Sequence, residues 1–132
     1  MSKTYEFLND CGIFFVSTID GDHPAVRPFG AVMEYENELY ISTGSSKDVY
    51  RQMKKNPAIQ IIALPTGSRT WLRVNGNAVE VTDIAIKEHM MEMCPAVARH
   101  HDSPNDPEYA VFCIKDAKSQ LCNDSEKKEI DC

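Results

Sequence analysis

The sequence has no long apolar run, no excess of basic residues and no secretory signal core. No apolar segment reaches the length of a membrane span, and the first residues, MSKTYEFLNDCG, lack the apolar core of a signal peptide. The 132 residues carry a formal net charge of −6 at pH 7, whereas nucleic-acid binding depends on positive charge that neutralises phosphates. We therefore expect a cytoplasmic protein that binds neither membranes nor nucleic acid.

Motifs of several enzyme classes and of metal sites are also missing. No Ser-His-Asp or paired-carboxylate constellation is visible, and no G-x-G-x-x-G fingerprint indicates a resident dinucleotide. The five cysteines form no C-x-x-C pair and the four histidines no H-x-x-x-H pair, so we predict no metal site. In a reducing compartment, an odd number of scattered cysteines favours free thiols that are mostly buried.

The composition is that of a globular protein, and strands dominate the predicted order of elements. Hydrophobic residues make up 42% and charged residues 26% of the chain. We predict a single domain over residues 1–132. Periodicity and turn residues predict helices over 3–10 and 46–56 and after Asp83, and strands over 13–19, 25–35, 39–43, 58–64, 70–81 and in the last 25 or so residues.

Too few helices separate these strands for a parallel sheet, so the order predicts an antiparallel barrel, closed or split. Pro28 cannot donate a ladder hydrogen bond, which places its strand at an edge or at a bulge. Gly76 lies in the middle of a long strand and predicts a bulge or a sharp bend.

The segment LYISTGSSKDVYRQMKKNP, residues 39–57, places small and hydroxylated residues and then Lys47 between a strand and a helix. Small residues let a ligand approach the backbone, and a helix N-terminus offers free N–H groups with partial positive charge. The segment therefore favours an anion site, for a phosphate in particular. Ser45-Ser46-Lys47-Asp48 also suits an ordinary helix capping box, and both interpretations are open at this point.

Three segments in this order resemble one family: VRPFGAV (26–32), the segment 39–57, and WLRVNGNAVEV (71–81). The chain resembles the pyridoxamine 5'-phosphate oxidase-like flavin-binding split barrels, and within them the small nitroimidazole-resistance (Nim) proteins. The resemblance implies a mainly β fold with α-helices, a six-stranded antiparallel split β-barrel flanked by short helices. It also implies a homodimer that binds FMN at the subunit interface.

The resemblance further implies which residues bind the cofactor. The phosphate site of the family, at the start of the helix after the third strand, corresponds here to Ser42, Thr43, Ser45, Ser46 and Lys47. The strand that runs along the flavin ring corresponds to Arg27, Pro28, Phe29 and Gly30.

The resemblance also assigns Trp71 to the cofactor site, and the assignments of Arg27 and Trp71 both have alternatives. Arg27 is expected at the N1/O2 edge of the flavin or at its phosphate, and the alternative is a surface arginine paired with a nearby carboxylate. Trp71 is expected at the dimer interface near the flavin of the partner subunit, and the alternative is a core tryptophan. The resemblance assigns no catalytic residue, and none of the four histidines can be given a role from it.

The function implied is an FMN-dependent oxidoreductase that acts on a small planar acceptor such as a nitroaromatic or a quinone. Its electron donor would be a nicotinamide or a reduced carrier that docks transiently, since no dinucleotide fingerprint is present. The alternative is a non-catalytic flavin- or haem-binding protein for storage, sensing or stress protection, because a fold alone does not decide function.

Overall fold

An antiparallel sheet of eight strands dominates the structure, a computed structural model that describes residues 1–132. The strands are β1 (Phe14–Asp20), β2 (His23–Phe29), β3 (Val32–Tyr35), β4 (Glu38–Gly44), β5 (Ala58–Ala63), β6 (Trp71–Val81), β7 (Tyr109–Cys122) and β8 (Lys127–Ile130). The helices are α1 (Lys3–Cys11), α2 (Asp48–Lys55), α3 (Ile84–Met93) and α4 (Pro95–His100). The predicted fold class, mainly β with α, is confirmed.

The sheet curls into a barrel that stays open along one seam. The order of its strands is β2-β1-β5-β6-β7-β4-β3, and β8 pairs with β7 outside this path. Strands β2 and β3 are the two outermost strands in this order, but in the sequence only Gly30 and Ala31 separate them. The two edges therefore lie close together without ladder hydrogen bonds between them, which is the geometry of a split barrel.

The strands number eight rather than the six implied by the resemblance. The segment predicted as one strand over 25–35 breaks at Gly30 and Ala31 into β2 and β3, and the polar C-terminal segment adds the short strand β8. Strand β2 pairs with β1 alone, so Pro28 lies on an edge strand as predicted, where no ladder donor is needed.

Alternating apolar side chains fill the barrel, and helices close it. Leu72 and Val74 point into the core from β6, and α2 adds Val49 and Met53, which lie one helical turn apart as their spacing predicts. The Asp83 side chain accepts a hydrogen bond from the Ala85 N–H and caps α3, also as predicted. None of the four helices has both the length and the apolar character needed to cross a membrane.

The thiols follow the sequence prediction. All five cysteines are free, and Cys94, Cys113 and Cys122 are buried. Burial raises the pKa of the Cys113 thiol to about 12, and its hydrogen bond to Glu38 adds to this effect. Cys94, Cys113 and Cys122 therefore act as small core side chains.

Gly76 produces the bulge that its position in a long strand predicts. The register of β6 against β7 shifts between Asn75 and Asn77. A Cβ atom at Gly76 would lie 2.6 Å from Ile114 Cγ2 and 3.1 Å from the Lys115 carbonyl oxygen. The two strands thus approach each other more closely here than any larger residue allows.

We expect Gly76→Ala to lower the free energy of unfolding by roughly 1 to 3 kcal/mol, because the added methyl group forces β6 and β7 apart. Urea denaturation measures this change. Gly30→Ala is the matched control, since a Cβ there meets Ile13 Cδ1 at an ordinary 3.5 Å. Equal losses of unfolding free energy in the two variants would contradict the explanation that β6 and β7 approach closely at Gly76.

Candidate functional site

A cleft of about 430 Å³ opens along the seam of the barrel. Its walls come from the end of β2, the end of β4, the start of α2, helix α4 and the residues just before β7. The volume lies in the range of small-molecule pockets in proteins, which is roughly 300 to 1,000 Å³. This cleft is the candidate functional site.

Most of the predicted binding residues meet in this cleft. Those that line it are Arg27, Pro28, Phe29, Gly30, Ser42, Thr43 and Lys47. Ser45 and Ser46 lie beside it and bind Glu108, a lining residue. Trp71 does not line the cleft: it begins β6, and the Arg73 guanidinium carbon lies 4.9 Å from its ring centre. Its contact with the flavin of the partner subunit stays a prediction.

The turn after β4 holds a carboxylate. Ser46 donates from its hydroxyl to Glu108 Oε1 at 2.7 Å and from its backbone N–H to Oε2 at 3.1 Å. The Ser45 hydroxyl lies 3.2 Å from Oε2 and 2.9 Å from the Pro107 carbonyl oxygen. We call the segment 44–46 the anion cradle. The predicted anion-binding segment thus surrounds an oxyanion group, which belongs to the same chain.

Gly44 allows the carboxylate to come this close, because a Cβ at that position would overlap Glu108 Oε1. The strand register sets the approach: Gly44 of β4 lies opposite Tyr109 of β7, and the Ser45 N–H donates to the Glu108 carbonyl at 2.8 Å. The Ser46 hydroxyl is the main cause that lowers the pKa of Glu108. Glu108 is therefore an anion at neutral pH.

The capping-box interpretation of residues 45–48 is wrong. Helix α2 begins at Asp48, its N-cap residue is Lys47, and no side chain caps it. The Ser46 hydroxyl turns instead to the Glu108 carboxylate, because a charged acceptor makes the stronger hydrogen bond. The Ser45 hydroxyl turns to the Pro107 carbonyl and to Glu108. Lys47 is exposed at the cleft and takes part in no ion pair.

Arg27 is held in the cleft wall by uncharged partners. Its Nη1 donates to Thr18 Oγ1 and its Nη2 to Gln52 Oε1, each at 2.7 Å, and the Thr18 hydroxyl donates to the same Gln52 oxygen at 2.6 Å. Thr18 and Gln52 are only 2% and 5% exposed. Burial lowers the pKa of Arg27, which stays protonated.

The alternative of an arginine paired with a surface carboxylate is therefore wrong, since Arg27 forms no salt bridge. Its expected contact with the flavin stays a prediction. What the structure does give is a guanidinium whose orientation is already fixed by β1 and α2, with the cleft on its open side.

His101 lies in the cleft wall next to an acidic partner. Its Nδ1 is 3.1 Å from Asp106 Oδ2, its ring stacks on Tyr109 with the centroids 4.9 Å apart, and its side chain is 11% exposed. The Glu108 N–H, and then His101 itself, lower the pKa of Asp106. The Asp106 carboxylate is an acceptor for an Nδ1–H of His101, and Nε2 has no partner within the chain.

Comparisons with known proteins agree with this geometry. The family model described as pyridoxamine 5'-phosphate oxidase matches residues 2–122. The chain belongs to this family. The structure of a NimC/NimA family protein from Clostridium acetobutylicum is similar over 98% of this chain and 90% of that one, with 32% sequence identity and a TM-score of 0.91. The predicted likeness to the Nim subgroup is confirmed.

More distant proteins of known structure share the fold. A protein from Clostridium acetobutylicum related to general stress protein 26 of Bacillus subtilis is 17% identical, with a TM-score of 0.79 over 98% of this chain and 92% of that one. An FAD-binding protein from Mesorhizobium loti is 15% identical, with a TM-score of 0.60 over 89% and 91% of the two chains. No curated protein sequence matches the chain.

Sequence reasoning missed the residues that reach the cleft from the segment before β7. His100, His101 and Glu108 all line it, although they lie far along the chain from the predicted phosphate-binding residues 42–47. One signal was available: the residues 102–108, DSPNDPE, form a turn-rich link directly before an apolar strand. Only the pairing of that strand with β4 brings the link to the cleft.

We expect Gln52→Leu to lower the free energy of unfolding by about 2 kcal/mol, because the buried Thr18 hydroxyl and Arg27 both lose an acceptor. Chemical denaturation of Gln52→Leu, Thr18→Val and the double variant checks this. The double variant should lose about 1 kcal/mol less than the sum of the single variants, since the two side chains share one network. If the losses of unfolding free energy in the two single variants add up to the loss in the double variant, the side chains do not share one network.

Proposed function

We propose that this protein is an FMN-dependent oxidoreductase that reduces a small planar acceptor such as a nitroaromatic or a quinone. One observation carries the proposal. In a chain of the pyridoxamine 5'-phosphate oxidase family, an anion cradle and a fixed arginine border the same cleft. FMN needs both, one for its phosphate and one beside the electron-rich edge of its ring.

The residues at the cradle fit the phosphate of FMN. The Ser46 hydroxyl and N–H already bind two oxygens of an oxyanion group, and Lys47 at the N-terminus of α2 carries a positive charge with no other partner. The partial positive charge at the start of that helix adds to the attraction. Ser45, Ser46 and Lys47 would hold the phosphate, with Thr43 beside them in the wall.

The end of β2 would border the flavin ring. Arg27 presents a positive charge whose position Thr18 and Gln52 maintain, so little ordering is needed when a ligand binds. Gly30 has no side chain that would limit the approach of a ring. When bound, FMN supplies hydride or electron transfer, and the chain binds it, orients it and excludes water.

A second subunit would complete the site. The register of the sheet aligns Pro28 with Phe15, Phe15 with Ile62, and Ile62 with Arg73, so these side chains form a row on one face. Phe15 is 45% exposed, and the buried Nε of Arg73 has no hydrogen-bond partner. An apolar face that begins at the cleft wall favours coverage by a second copy of the chain.

Reduction of a nitro group or a quinone consumes protons as well as electrons. His101 is placed to hold one at the cleft, because Asp106 fixes Nδ1 and Nε2 has no protein partner. A nicotinamide or a reduced carrier would supply the electrons by transient docking. The cleft wall formed by α4 and the segment before β7 thus contributes the acid–base group of the proposed reaction.

The first test is flavin binding. The purified protein should take up FMN, seen in its absorption spectrum after excess flavin is removed. Ser46→Ala combined with Lys47→Ala should weaken FMN binding at least about tenfold, or 1.4 kcal/mol, without changing the oligomeric state in sedimentation.

Lys55→Ala is the matched control, an exposed lysine at the other end of α2, and should leave FMN affinity unchanged. A protein that is colourless after incubation with FMN and removal of the excess would overturn the cofactor proposal. A Soret band in place of flavin absorption would show that the protein binds haem and would contradict the FMN proposal.

The second test concerns His101. His101→Gln should lower kcat for nitro or quinone reduction by about a hundredfold, while FMN affinity changes less than about twofold. His100→Gln lies in the same wall but has no acidic partner, so it should change kcat far less. Equal rates for His101→Gln and the wild type would show that His101 holds no proton in the reaction.

A further inference from the structure

Glu108 gives the cleft a property that phosphate binding alone does not require. We propose that Glu108 is a built-in competitor of the flavin phosphate: its carboxylate occupies the anion cradle and must leave when a phosphate binds there. This inference rests on the proposed function, because it concerns how the same site admits its ligand.

The cradle donors cannot serve both groups. The Ser46 hydroxyl and the Ser46 N–H each carry one proton, and both protons point to the Glu108 carboxylate. A phosphate bound by the same donors would place its oxygens where the carboxylate oxygens lie. Two anions in contact repel each other strongly, so one of them has to leave.

Glu108 can leave without disturbing the fold. Its backbone is held twice, by the Ser45 N–H that donates to its carbonyl at 2.8 Å and by Asp106 Oδ1, which accepts its N–H at 2.9 Å. Its side chain is held only through the carboxylate and is partly exposed. Rotation about side-chain torsions therefore moves the carboxylate into solvent, while β7 and the cradle stay in place.

The charges around the cradle favour the exchange for a phosphate and not for an uncharged ligand. A phosphate monoester carries a charge of about −1.5 to −2 and has three acceptor oxygens, against one charge and two oxygens on Glu108. Lys47 lies at the same cleft and has no carboxylate partner, while Asp106 is already paired with His101. Riboflavin, which lacks the phosphate, has nothing with which to displace Glu108.

The consequence is a lowered apparent affinity for every phosphate-bearing ligand. The apparent dissociation constant is raised by the inverse of the fraction of time for which the cradle is free of Glu108, so a tenfold effect corresponds to a cradle that Glu108 fills about nine-tenths of the time. Removal of the carboxylate should therefore tighten the binding of FMN and of inorganic phosphate alike, and should leave the binding of riboflavin unaltered.

Calorimetric titration of the full chain with FMN, riboflavin and inorganic phosphate tests the proposal. In Glu108→Gln and Glu108→Ala, FMN and inorganic phosphate should both bind at least about tenfold more tightly than in the wild type. The affinity for riboflavin should change less than about twofold. Glu129→Gln removes one charge on β8, where the side chain is exposed and binds no residue of the chain, and should behave as the wild type.

The outcomes separate this inference from the proposed function. Unchanged or weaker binding of FMN and phosphate in both Glu108 variants would overturn the inference, and FMN binding in the wild type would still support the proposed function. If the Glu108 variants bind inorganic phosphate more tightly but no variant binds flavin, the inference about Glu108 is supported and the proposed function is overturned.

A measurement on the wild type guards against variants that fold poorly. The carboxyl carbon of Glu108, observed by NMR, should shift when inorganic phosphate is added. A resonance that stays in place while phosphate binds, or that stays in place at saturating FMN, would contradict displacement. Glu108→Gln and Glu108→Ala should also unfold cooperatively, as thermal denaturation will show.

Discussion

The antiparallel pairing of β4 with β7 is the constraint on which the site depends. With Gly44 opposite Tyr109, the turn after β4 must lie against the residue before β7. That register places the Ser46 donors on Glu108 and sets where α2 begins. It also brings the segment with His101 to the cleft at the seam of the barrel. A shift of one residue would turn every side chain of β7 to the other face, so the site cannot change without the core.

Three polar side chains at the cleft, Arg27, His101 and Ser46, are held by other side chains, whereas Lys47 is not. Thr18 and Gln52 hold Arg27, Asp106 holds His101, and Glu108 holds Ser46. Partial burial makes an unpaired polar group costly, and these partners remove that cost while fixing orientation. The four partners differ in one respect: Thr18, Gln52 and Asp106 support a group that faces the cleft, whereas Glu108 competes for the position that a ligand would take.

Local features of the sequence predicted local features of the structure. The Asp83 cap, the bulge at Gly76 and the buried stripe of Val49 and Met53 each depend on contacts within one strand pair or one helical turn. The capping box failed for the opposite reason. A serine before a helix can cap it or can bind elsewhere, and the choice depends on Glu108, which no local pattern brings near.

By itself the sequence predicted an antiparallel barrel and an anion-binding segment between a strand and a helix, because periodicity and small residues followed by a lysine are local properties of the chain. The family was indicated by the resemblance of three segments, not by periodicity. The tertiary structure alone decided what occupies that segment and which two of the four histidines reach the cleft. Ser46 and Glu108 are 62 residues apart. Their contact follows from a hydrogen-bonded register between two distant strands, which the packing of the whole sheet selects.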